Sequence, residues 1–204
     1  MAGHMTKRSV AMLALTMLAL VGACAQPEVP EDNFYRLRIE PPKNAAPSPR
    51  FKGTIEIERF AADGLTAGRP IVYTESGQGH RLKEYHYHFW TEPPTVMLRD
   101  QLVMYLRAAG IAESVVTPEM RVDPQYVLAG KIKRLEKIAG AKPMAVLELE
   151  LGLREAGSGG KLVLLDTYHV EMAAENDSVD AAVQALNKAL AVAYARFTAS
   201  VAFK

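Results

Sequence analysis

The sequence predicts an α+β fold: a single domain with a mostly antiparallel sheet and two amphipathic helices packed on one of its faces. Three observations predict it. Strand-like and helix-like segments follow one another in the order strands, helix, strands, helix. Leu147, Leu149, Leu151 and Leu153 alternate with Glu148, Glu150 and Gly152, the pattern of a strand with one buried face. Near the C-terminus, Val179, Val183, Leu186, Leu190, Ala193, Phe197 and Val201 recur every three or four positions, as one stripe of a helix requires.

The first element is a short strand over residues 34–39, followed at 41–49 by a stretch with four prolines that reads as an extended connector. Residues 54–60 alternate Ile55 and Ile57 against Glu56 and Glu58, a half-buried strand, and Ala62, Asp63 and Gly64 turn the chain. Strands at 69–74 and 82–90 follow, separated by a Gly-rich loop, and the three together suggest an antiparallel meander. Pro93 and Pro94 open a helix, because a first-turn amide has no partner to lose. Leu98, Leu102, Tyr105, Leu106 and Ala109 supply its apolar stripe, and Gly110 terminates it.

A short strand at 114–117 and a loop at 118–124 lead to three successive strands, at 126–138, 145–154 and 162–172. A hairpin rich in Gly and Ser joins the last two; no helix follows it, so it is not a phosphate-binding loop. Asn176, Asp177 and Ser178 cap the long final helix.

Ahead of this domain, Lys7 and Arg8 precede an uncharged apolar run that ends in Val21, Gly22, Ala23 and Cys24. This reads as a secretory signal peptide over residues 1–23, with residues 1–4 a tag or upstream start. Small residues before a cysteine form a lipobox, in which Cys24 accepts a thioether-linked diacylglycerol and an N-acyl chain. The run of 14 residues from 10 to 23 is shorter than the roughly 20 that a membrane span needs, so cleavage is favoured over spanning. An ordinary cysteine and an uncleaved anchor are the alternatives. Residues 24–33, with two prolines and three acidic residues, form a lipidated tether, and residues 34–204 form the domain.

Removing the first 23 of 204 residues leaves 181, enough for one core. Lys7 and Arg8 leave with them, so 22 basic face 23 acidic side chains, a balance that offers nucleic acid nothing. Cys24 is the single cysteine, so no disulfide supports the domain.

Candidates for chemistry are sparse. His86 and His88 share one face of a strand at a spacing that suits zinc or copper, but a site needs more than two ligands and no metal site is expected. Ser158 sits in a flexible hairpin, and the paired glutamates are the polar halves of strand alternations. No catalytic set assembles. Tyr85, Tyr87 and Trp90 form an aromatic cluster that serves either as core or as an anchor for a partner, with Tyr85, Tyr87 and Phe89 expected on the core side.

Several segments carry a resemblance: Phe34-Tyr35-Arg36-Leu37, residues 67–73, Tyr85-x-Tyr87-x-x-Trp90-x-Glu92-Pro93-Pro94, residues 97–110, Tyr126-Val127-Leu128-x-Gly130 and residues 185–190. In these the chain resembles bacterial ABC-type transport auxiliary lipoproteins, including the paraquat-inducible membrane-integrity type. The resemblance implies a non-enzymatic lipoprotein of the outer membrane, facing the periplasm, with no cofactor beyond the lipid on Cys24. It implies as partners a periplasmic MCE-domain protein with its ABC permease and ATPase, which move lipids or other hydrophobic molecules between membranes. Ala25 after the cysteine, in place of aspartate, fits export to the outer membrane. A homo-oligomer is left open. A lipid-binding carrier lipoprotein and a structural envelope lipoprotein are the alternative functions.

Overall fold

The computed structural model describes residues 30–202. Among the described residues nine strands and two helices follow in order: β1 (Asn33–Tyr35), β2 (Phe51–Ile57), β3 (Ala61–Ala62), β4 (Pro70–Glu75), β5 (Lys83–Trp90), α1 (Pro94–Ala109), β6 (Ala112–Val116), β7 (Tyr126–Ala139), β8 (Met144–Glu155), β9 (Leu162–Ala173) and α2 (Val179–Ala202). Short 3-10 turns occupy Gly64–Ala67 and Pro118–Met120.

The expected elements form close to their expected limits, but the sheet is mixed instead of mostly antiparallel. β7 explains why. At its 14 residues it spans about 46 Å, long enough to accept several short strands end to end along one edge. β2 pairs with residues 126–128 of β7, β3 with residues 131–132 and β4 with residues 136–139, each of them parallel to it. On the other edge β7, β8 and β9 form the expected antiparallel run. The expected meander of the first strands is therefore corrected: β4 and β5 form an antiparallel pair, whereas β2 lies between β6 and β7, parallel to both. Alternation assigns faces to a strand and carries no information about which strand lies beside it.

The first strand is also shorter than expected. β1 pairs with β5 for three residues, parallel, and the chain then leaves the sheet. Leu37 and Ile39 keep the inward phase and are buried, but the backbone between them is held by helix side chains. The Arg38 amide donates to Asn187 Oδ1 at 2.7 Å and the Ile39 amide to Gln101 Oε1 at 2.9 Å. Residues 36–39 thus form a strap across α2 and α1.

The helix ends follow the sequence. Pro94 stands in the first turn of α1, and Gly110 takes the left-handed conformation, φ 63°, that ends it. Ser178 Oγ accepts from the Ala181 amide at 3.1 Å and caps α2. Leu147, Leu149, Leu151 and Leu153 of β8 are fully buried with Leu98, Leu102 and Leu106 of α1 and Leu186, Leu190 and Phe197 of α2, in one continuous core. Each such leucine removed from water contributes roughly 1.5–3 kcal/mol. Tyr194 of α2 lies inside this core and donates to the Leu98 carbonyl at 2.6 Å, joining the two helices. Burial raises its pKa well above the ordinary phenol range.

Candidate functional site

Cys24 lies outside the described residues. The three aromatic candidates, Tyr85, Tyr87 and Trp90, share β5 but have three different environments. Trp90 is only 1 % exposed and is a core residue. Its amide donates to the Arg69 carbonyl at 2.7 Å, and Arg69 Nε donates to the Trp90 carbonyl at 3.0 Å, which fixes the end of β5. Tyr85 is half-buried, and Tyr87 is 37 % exposed.

The expectation that Tyr85, Tyr87 and Phe89 face the core together is thereby corrected. Pro70 pairs with Phe89 and Val72 with Glu84, so two steps along β4 oppose five along β5. The extra residues form an irregularity that breaks simple alternation. It turns His88 toward the core side, where Nδ1 lies 2.9 Å from the Tyr35 hydroxyl and the ring packs edge-on against Tyr85 at 5.3 Å. His86 is left exposed, so the histidine pair expected on one strand face is split.

Tyr85 instead joins a polar cluster that the sequence did not reveal. Lys137 on β7 is only 2 % exposed, and its ammonium donates to the Tyr85 hydroxyl at 3.0 Å, to Asp177 Oδ1 at 2.7 Å and to the Asp177 carbonyl. Three acceptors satisfy its three donors. Tyr73 stacks on Tyr85 at 4.3 Å between ring centroids. Burial alone would lower the lysine pKa, but the hydrogen bonds it donates to Asp177 and Tyr85 outweigh that and hold the group above its ordinary value. The same ammonium holds the Asp177 carboxylate below its own. Tyr35, nearby, is pushed up by burial and by Asp180. These contacts tie β7 and β5 to the segment that enters α2. No spacing rule marks Lys137, because in sequence it is one of several cations along a strand.

The opposite side of the sheet edge is aromatic. Phe34 of β1 is 57 % exposed and lies 5.9 Å from Phe89, and the Arg69 guanidinium sits 5.6 Å from the Phe34 ring centroid. At the other edge of the sheet, His169 of β9 lies between Glu148, at 3.4 Å, and Glu171, at 3.1 Å. Among the described residues no group of three or more His, Cys, Asp or Glu is arranged to hold a metal ion, and no helix is long and apolar enough to cross a membrane. Open surface clefts occur among the described residues. One of about 540 Å³ is lined by Arg50, Phe51, Tyr126 and Leu162, and another of about 350 Å³ by Ile39, Pro41, Met104 and Tyr105.

These features define an α+β domain built on a mixed sheet, with exposed aromatic side chains at one edge and a buried lysine cluster on its long central strand. The model of the family described as ABC-type transport auxiliary lipoprotein component matches residues 35–196, nearly all of the folded part. The chain belongs to that family. It is therefore an auxiliary component of an ABC-type transport system and, as a lipoprotein, is associated with a membrane of the cell envelope. Its fold is similar to the crystal structure of a Xanthomonas campestris protein of the DUF330 family, at 21% identity, covering 83% of this chain and 95% of that one, with a TM-score of 0.69. It is also similar to the crystal structure of an uncharacterized protein, at 19% identity, covering 84% and 99% of the two chains, with a TM-score of 0.63. No curated protein matches the sequence.

Proposed function

We propose that this protein is a non-enzymatic outer-membrane lipoprotein, held by diacylglycerol and N-acyl chains on Cys24 with its domain in the periplasm. There it docks an MCE-domain assembly, served by an ABC permease and ATPase, that moves lipids or other hydrophobic molecules between the two membranes. The observation that carries this reading is the family match over residues 35–196, directly behind a short tether that begins at a lipobox cysteine. Several acyl chains on one cysteine hold a protein durably at a bilayer, where a single chain binds only marginally.

The core favours docking over the carrier alternative. A carrier needs space between sheet and helices, and that space is filled by Leu98, Leu102, Leu106, Leu186, Leu190 and Phe197, each almost fully buried. Mild crosslinking in intact cells, followed by purification from detergent-solubilised membranes, is expected to recover an MCE-domain protein. Recovery of bound phospholipid with no such protein would replace this reading by the carrier.

A further inference from the structure

The aromatic edge formed by Phe34, Tyr87 and Phe89 has no role in the core. Phe34 and Phe89 point away from Trp90 and Tyr35, their inward-facing neighbours, and Tyr87, two residues before Phe89, is itself exposed. The Asn33 side-chain amide donates to the Tyr87 carbonyl at 3.4 Å and ties the start of β1 to this segment. Arg69 stands over Phe34, and Arg36 and Arg38 are exposed just beyond. Exposed rings beside guanidinium groups match the boundary of a phospholipid bilayer, where aromatic side chains sit at headgroup level and arginine meets phosphate.

The position in the chain supplies the second argument. Nine residue steps separate Cys24 from Asn33, a reach of at most about 30 Å even when fully extended. β1 is the first strand among the described residues, so a lipid on Cys24 keeps this edge closer to the bilayer than chain length requires of any other of these strands. A second copy of the chain is the poorer occupant. Three residues of β1 offer few ladder hydrogen bonds to an added strand, and very short edge strands are a common device against such pairing.

We infer that the edge formed by Phe34, Tyr87 and Phe89, with Arg69, rests against the phospholipid surface that holds the anchor and orients the domain on it. The inference rests on the lipid-anchor reading of Cys24, and its test separates the two. Full-length acylated protein carrying His86→Cys, or Met120→Cys beyond β6 at the opposite end of the strand order, is labelled with a fluorophore and reconstituted in vesicles. The vesicles contain phosphatidylethanolamine, phosphatidylglycerol and a fraction of nitroxide-labelled lipid. With Cys24 acylated, the introduced thiol is the one that labels.

The expected result is flotation with the vesicles, strong quenching at position 86 and none at position 120. Quenching at 86 should be lost in a Phe34→Ser, Tyr87→Ser background that still floats. Flotation with no quenching at 86, or with equal quenching at both positions, overturns the inference and leaves the anchor standing. Self-quenching at 86 in detergent without vesicles shows a second copy on the edge and also overturns it. Failure to float removes the anchor reading and the inference with it.

Discussion

Gly130 lies in the middle of β7, opposite Leu151 of β8, and the Phe60 ring covers it. A Cβ built there would stand 2.6 Å from Phe60 Cε1, 2.7 Å from Cδ1 and 2.9 Å from Cγ. Phe60 is buried between β2 and β3, so its ring can yield only by moving the loop that delivers β3 to residues 131 and 132 of β7. Gly130→Ala is therefore an overpacking change, which costs about 1–3 kcal/mol. Reduced freedom of the unfolded chain returns about 0.4–1 kcal/mol. The net expectation is destabilisation by about 1–2 kcal/mol, a fall in Tm of roughly 2–8 °C for a domain of this size. Thermal unfolding followed by circular dichroism measures it. Phe60→Ala alone should cost about 3–5 kcal/mol, and adding Gly130→Ala to that background should be neutral or stabilising, because the clash has gone. A Gly130→Ala protein that is as stable as the parent would refute the reasoning. So would a cost that persists unchanged without the Phe60 ring.

Three further outcomes can be measured. Cys24→Ala should move the protein from the membrane to the soluble fraction, and retention after a high-salt wash would show that something other than an acyl anchor holds it. Asp177→Asn removes the charge partner of Lys137 and should lower Tm at pH 7. The native Asp177 pKa is depressed, so its contribution is complete above the ordinary carboxylate value of about 3.9 and is lost as pH falls through the native value. Parent and variant melting curves should thus converge in acid, and a constant gap down to pH 2 (roughly two units below that reference) would assign the effect to packing. Tyr194→Phe should cost about 1 kcal/mol, because the Leu98 carbonyl loses one hydrogen bond while the shape of the core is kept.

By itself the sequence determined the elements and their inward faces. The leucine ladder of β8, the stripe of α2, the proline entry and glycine exit of α1 and the serine cap of α2 all state local preferences that the fold obeys. It also carried the family, through segments from Phe34 to residue 190. Only the tertiary structure decided how the strands are ordered and where β5 departs from alternation. Strand pairing depends on contacts between residues far apart in the chain, and β7 could take three short parallel strands on one edge without any mark in its own pattern. For the same reason the aromatic cluster seen in the sequence came apart: Trp90 entered the core, Tyr85 met Lys137 and Asp177, and Tyr87 stayed outside with Phe34. An aromatic residue in a strand can be buried or displayed at the same position, and the neighbours that decide between the two arrive only when the chain has folded.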